Sequence, residues 1–202
     1  MTTAPPRLVL ASKSFGRRAM LEHAGVPFEP DVAQVDEDAI KDSLKAQQAT
    51  AEQAAETLAE LKANRVAPRH PGALVLGCDS ILDLDGRWFD KPADLAAARD
   101  HLAALRGKRH RLVSAAVLVR DGARIWAHVD AANLTMRAFS DRFLDDYLAA
   151  IGDLATASVG AYQIEGRGIQ LFSRIDGDPF TIIGMPLLPV LDILRAHDVV
   201  VP

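Results

Sequence analysis

The sequence has a single cysteine among 202 residues, and the lack of a second thiol removes two kinds of architecture. No internal disulfide can form, and no cysteine-built zinc site. Cys78 lies within an apolar run, and a lone thiol of this kind points to a reducing cytoplasm. Histidine pairs are also missing. The six histidines, at positions 23, 70, 101, 110, 128 and 197, make neither HxxxH nor HExxH, so any metal must be held by carboxylates. No apolar run approaches the ~20 residues of a membrane helix. Met1 to Pro6 are too short and too polar for a signal peptide, so neither export nor membrane contact is expected. Charge of one sign is not in excess either. Lys and Arg number 23 against 27 Asp and Glu, a net charge of -4, so no global field would hold the chain on DNA, RNA or anionic lipid. Any polyanion contact must be local.

What the sequence does contain is apolar residue, 49% of the chain. That is enough for a sizeable core within a single domain spanning residues 1–202, with room for two lobes about a cleft. Arg7 to Ala11 reads as a buried strand, followed by a turn and a helix from Ser14 in which Met20, Leu21 and Ala24 recur until Gly25. Thr50 and Gln53 form a capping box before an Ala/Leu/Glu helix running to about Val66. Ala73 to Gly77 reads as a central strand with Asp79 at its carboxyl end. Asp85-Gly86 and Asp121-Gly122 mark hairpin turns, so the sheet is mixed. Asp94, Ser140 and Pro186 open further helices. The polar stretch from Glu37 to Thr50 reads as a mobile loop or loose helix.

Three clusters carry chemistry. In Ser12-Lys13-Ser14-Phe15-Gly16-Arg17-Arg18 a helix begins with three cations around its first turn. Positive side chains there cost ~0.3–1 kcal/mol each unless an anion is present. Free N–H groups, two hydroxyls and two arginines would cradle phosphate, although a solvated basic face explains the same residues. Asp79, after a buried strand, can ligate Mg²⁺ or accept a proton from water, or simply cap a turn. Lys91-Pro92 offers an ammonium, and Asp36-Glu37 a further ligand. The third cluster is glycine-rich, Val159 to Gly168, followed by Ile183-Gly184-Met185-Pro186-Leu187. Its spacing matches neither a Walker loop nor a dinucleotide fingerprint.

Taken in order, these segments resemble the Maf nucleotide pyrophosphatases. The resemblance is carried by Leu10 to Ser14 with Arg17-Arg18, Asp36-Glu37, Lys62-Ala63, Gly77 to Asp79, Lys91-Pro92, Gly160 to Tyr162 and Gly184 to Leu187. It implies an α/β fold with a curved mixed sheet flanked by helices and two lobes about a cleft, similar in shape to the inosine triphosphatases. The implied enzyme is cytosolic and often dimeric, and it cuts nucleoside triphosphates between the α and β phosphates. By matching positions, Asp79 would accept the proton of the attacking water. Ser12, Ser14, Arg17, Arg18, Lys62 and Lys91 would hold phosphates, and Glu37 would join Asp79 around Mg²⁺ or Mn²⁺.

At three positions linked to substrate choice the chain has Gly16, Ser80 and Glu165. The dTTP- and UTP-cleaving branch is associated there with Arg, Thr and Gln. The run Glu165 to Phe172 is more similar to the 7-methyl-GTP branch, although that branch commonly carries Trp and Gln where Gly16 and Ser80 stand. Two other readings compete with this one: a pyrophosphatase of the inosine triphosphate type, and a nucleotide- or nucleic-acid-binding regulator of cell division. The enzyme reading is favoured because Asp79 would repel phosphate in a simple polyanion binder, and no stable nucleic-acid complex is expected.

Overall fold

The computed structural model describes residues 6–201. The signal-peptide reading of Met1 to Pro6 therefore falls, apart from Pro6, outside the described residues.

The chain begins with β1 (Leu8–Leu10), α1 (Phe15–His23), β2 (Glu29–Pro30), α2 (Glu37–Ala46) and α3 (Ala51–Val66). Next come β3 (Leu74–Leu84), β4 (Arg87–Phe89), α4 (Leu95–Leu105), β5 (Arg109–Arg120) and β6 (Ala123–Met136). It closes with α5 (Asp141–Ile151), β7 (Phe172–Asp176), α6 (Pro179–Ile183) and α7 (Leu187–Ala196). The strands form one seven-stranded sheet in the order β2-β1-β3-β5-β6-β7, with β4 paired to β3. It is mixed, as the two hairpin turns require. β1 runs parallel to β2 and β3, whereas β3 with β4 and β6 with β7 are antiparallel. The α/β class read from the sequence is the class the chain adopts.

Packing divides the chain into two compact units, one of residues 6–79, 114–130 and 184–201, the other of residues 80–113 and 131–183. In the first, Val9, Leu10, Leu21, Leu58, Leu74, Leu76, Leu118 and Leu194 are fully buried. Burial of such side chains contributes roughly 1.5–3 kcal/mol each. The capping box of α3 is present in full, Thr50 and Gln53 each bonding the other's backbone N–H. Small residues let α3 approach the sheet closely. A Cβ at Gly77 of β3 would fall on the carbonyl oxygen of Ala59 and crowd Ala63, so glycine on the strand and alanines on the helix set the spacing between them. On the same helix, Glu56 and Glu60 hold Arg124 of β6 at 2.6 and 3.1 Å.

The second unit has its own core, with Leu82, Phe89, Leu102, Leu105, Leu134, Met136, Leu144 and Leu171 at its centre. Asp94 and Ser140 cap α4 and α5 by accepting from Ala97 N and Phe143 N. Neither β7 nor α6 was expected, since Phe172 to Asp176 and Pro179 to Ile183 are too short to show a clear period.

One expectation is corrected, and of the two alternatives for the stretch from Glu37 the helix is the one formed. β3 does not end before Asp79 but continues to Leu84, because Ile81, Leu82 and Leu84 keep burying apolar side chains beyond it. The stretch from Glu37 is a formed helix, α2, capped by the Asp36 carboxylate accepting from Ala39 N at 3.1 Å. An i,i+4 pattern of Glu37 and Lys41 gives that helix an inward polar face, which an apolar pattern does not report.

Candidate active site

The charged cluster of the first unit begins where β1 ends. Leu10 pairs with Leu76, Ala11 N still donates to Leu76 O at 2.8 Å, and the chain then turns away into α1. Asp79 therefore sits in mid-strand but three residues past the end of its parallel neighbour. That gap supplies what the sequence reading sought in a strand terminus, a polar position next to a helix start.

Within the turn, Ser14 has extended backbone and caps α1 by accepting from Arg17 N at 3.4 Å. Its own N–H donates to Ser12 Oγ at 3.2 Å. The Arg17 side chain folds back over the same turn. Its Nη1 donates to Ser12 Oγ at 3.3 Å, and its Nε donates to Gly184 O at 2.7 Å. Gly184 has a φ of 129°, a conformation a Cβ would strain, so glycine is what permits this peptide orientation. Ser12 and Arg17 are buried, Arg18 is exposed, and Gly16 is half-buried on the first turn of α1. No acidic side chain occupies that first turn, and the positive end of the helix dipole there favours a negative charge.

Next to this turn, two carboxylates converge on one ammonium. Lys62 Nζ of α3 lies 2.5 Å from Asp79 Oδ1 and 2.9 Å from Glu37 Oε1. Only 8% of Lys62 and 4% of Asp79 is exposed. Burial by itself would raise the Glu37 carboxyl, but Lys62, with Lys41 and Arg17 beyond it, outweighs burial and holds it below the usual carboxylate range. The influence of Arg17 on Glu37 puts the serine–arginine turn and the carboxylates in one electrostatic neighbourhood. Burial pushes the Cys78 thiol up to about 11, against the opposing pull of Arg17 and Lys62. It is not a nucleophile at neutral pH.

Asp79 Oδ2 is buried and has no hydrogen-bond partner among the described residues. An acceptor left bare in such a place is costly unless something fills it. Among the described residues no group of three or more His, Cys, Asp or Glu is gathered that would cage a metal ion. The two carboxylates do suit the open mode of Mg²⁺, in which one or two acids hold an ion that keeps waters and shares substrate phosphates.

Of the residues named from the sequence, Ser12, Ser14, Arg17, Glu37, Lys62 and Asp79 are thus brought together by direct bonds or neighbouring charge. Ser80, Lys91 and Glu165 belong to the second unit. There Ser80 is half-buried on β3, Lys91 is exposed after β4, and Glu165 is exposed in a turn before Gly166. Two contributors escaped sequence reading. Lys41, 6% exposed on α2, was legible in principle from its i,i+4 relation to Glu37. The Gly184 carbonyl was not, because its partner Arg17 lies 167 positions away.

Fold and site together define an α/β protein built to hold an anionic ligand against a paired-carboxylate centre. Residues 7–197 match the family model described as Maf-like protein, and the chain belongs to that family. It is 57% identical, over 96% of its length and 100% of the relative's, to a protein of Paramagnetospirillum magneticum named nucleoside triphosphate pyrophosphatase. A Brucella abortus protein named 7-methyl-GTP pyrophosphatase is 51% identical over 94% of the chain and 95% of the relative. A Mesorhizobium japonicum protein of the same name is 53% identical over the same shares. No helix among the described residues is long and apolar enough to cross a membrane.

Proposed function

We propose that this chain is a nucleoside triphosphate pyrophosphatase that releases monophosphate and pyrophosphate, and that it prefers 7-methyl-GTP or another modified guanine nucleotide to dTTP and UTP. The observation that carries the activity is the bare, buried Oδ2 of Asp79 beside Lys62, in a protein of this family.

In this reading Asp79 Oδ2 takes a proton from water as the water oxygen bonds to the α-phosphorus. The bond from that phosphorus to the α–β bridging oxygen breaks, and pyrophosphate carries away the electron pair. Both acids pair with Lys62, and Asp79 suits the role better because its side chain is 6% exposed against 39% for Glu37 and its second oxygen is bare. Ser12, Ser14, Arg17 and Arg18 receive phosphate oxygens at the opening of α1, with Lys62 and Lys91 supplying further positive charge. Glu37 and Asp79 are the residues that would hold Mg²⁺ or Mn²⁺, and the ion would add charge neutralisation across the phosphates.

Base preference rests on Glu165. An ionised carboxylate accepts hydrogen bonds, which suits the adjacent N1–H and N2–H₂ of guanine and the added positive charge of a 7-methyl group. The names of the Brucella and Mesorhizobium relatives support this reading. The same proposal includes a cytoplasmic setting and a homodimer. A polyanion-binding regulator is not favoured, since Glu37 and Asp79 would repel a phosphate backbone.

Hydrolysis in ¹⁸O-water with chromatography of the products tests the chemistry. Monophosphate carrying the label, with unlabelled pyrophosphate, is expected. Diphosphate with orthophosphate would refute attack at the α-phosphorus.

A further inference from the structure

The second unit contains a buried polar pair that the reaction does not use. His110, at the start of β5, is 2% exposed, and Tyr162, in the segment after α5, is 5% exposed. His110 Nε2 and the Tyr162 hydroxyl are 2.9 Å apart. Both rings pack on Phe172, with centroids 6.1 and 4.9 Å away. Burial holds the imidazole down at about 4 and raises the phenol, so both partners are neutral near pH 7 and are joined by an ordinary hydrogen bond.

The segment that Tyr162 anchors is held at several further points. Ser158 Oγ donates to Tyr162 O at 2.8 Å, and the Tyr147 hydroxyl donates to Ala161 O at 3.3 Å. Ala161 has a φ of 56°, an unfavourable conformation for a residue with a Cβ, which persists only where the surroundings impose it. A Cβ at Gly160 would overlap the Tyr162 ring, and one at Gly168 would overlap the backbone of Gln163. Gly166 N closes the turn on Gln163 O at 3.3 Å. Glu165 sits at the exposed tip of this turn, three residues beyond Tyr162. The Tyr147 hydroxyl ties this segment to α5, and Phe172 of β7 packs on the Tyr162 ring. The bond from Tyr162 to His110 ties it to a long strand of the sheet.

We infer that His110, acting through the Tyr162 hydroxyl, is a positioning residue for base selection that fixes the turn so that the Glu165 carboxylate is presented in one orientation. The inference rests on Glu165 being the base-selecting residue. Neither His110 nor Tyr162 touches the nucleotide in this scheme. Their loss leaves the carboxylate present but free to point elsewhere, which weakens selection without removing the hydrolytic groups of the first unit.

The test compares wild type, Glu165→Gln, Tyr162→Phe, His110→Phe and His110→Gln on 7-methyl-GTP, GTP and UTP. Tyr162→Phe and His110→Phe are expected to lower the 7-methyl-GTP to UTP ratio of kcat/KM about 10-fold, through KM for 7-methyl-GTP with kcat within about two-fold of wild type. His110→Gln, whose amide can still bond the phenol, is expected to recover most of the ratio. Combined with Glu165→Gln, His110→Phe should change the ratio no further. An unchanged ratio in Tyr162→Phe, when Glu165→Gln alone does shift it, overturns the positioning role. An unchanged ratio in Glu165→Gln instead overturns the base-selection reading and removes the positioning role with it. Should His110→Phe fail to fold, Tyr162→Phe and amide hydrogen exchange of residues 163–167 decide the matter. Exchange at least 10-fold faster than wild type is expected, and unchanged protection refutes the inference.

Discussion

Lys62 Nζ stands 2.5 Å from Asp79 Oδ1, and the same ammonium also holds Glu37 at 2.9 Å. One internal cation therefore bridges the two acids proposed to hold a divalent ion. Phosphates arriving with their metal offer Lys62 other partners, so ion and nucleotide are expected to enter together. In Lys62→Met the acids lose their counter-charge, and removal of one member of a buried pair costs about 3–5 kcal/mol. The variant should melt well below wild type. Millimolar Mn²⁺ without nucleotide should restore part of that loss while leaving the wild-type Tm nearly unmoved. A variant indifferent to Mn²⁺ in scanning calorimetry would show that these acids do not hold the ion.

Asp79→Asn should keep the fold, because the amide occupies the same volume and Lys62 retains Glu37. Turnover should fall at least ~10²-fold, as expected for loss of a general base. Pyrophosphate release and nucleotide affinity measured on one preparation check it. Affinity close to wild type with turnover also close to wild type would exclude Asp79 as the proton acceptor.

Glu165→Gln should narrow the preference for 7-methyl-GTP over UTP by about 1–3 kcal/mol, the worth of hydrogen bonds that discriminate between bases. Competition between the two substrates in one reaction measures the ratio directly. A uniform fall in activity on every nucleotide would instead assign Glu165 to a role common to them all.

His110 provides a prediction for pH. Its folded imidazole is held at about 4 by burial, against about 6.5 in an unfolded chain. Below 6.5 the unfolded state binds the proton that the folded state refuses, so stability falls as pH drops from 6.5 towards 4 and is unaffected by this group above 7. Between pH 7 and pH 5 the loss amounts to about 2 kcal/mol. Urea denaturation at both values should show wild type losing about that much more than His110→Gln. A direct imidazole titration by NMR with a midpoint near 6.5 in the folded protein would contradict the burial argument.

Legibility from the sequence followed the range of the interaction that decides each feature. The helix α3, with its Thr50–Gln53 box, and the Asp85-Gly86 hairpin are set by residues within three or four positions, and both were read correctly. The extent of β3 was not, since an acid inside a strand looks like a terminus until the neighbouring strand is seen to end at Leu10. Sequence order brought Ser12, Lys62 and Asp79 together only through a family resemblance. Their meeting depends on how closely α3 packs on Gly77. Lys41 went unread because a lysine on a polar helix face looks solvated when its burial is unknown.

The division of the chain carries a consequence for biosynthesis. The unit that holds Asp79 is assembled from residues 6–79, 114–130 and 184–201, with the whole of the second unit's sequence interleaved. Gly184, the anchor of Arg17, therefore leaves the ribosome after every residue of the second unit. Until it does, the arginine lacks the Gly184 carbonyl that its Nε bonds in the folded chain. A polypeptide that stops before Gly184 contains every residue of the second unit but not the carbonyl that anchors Arg17.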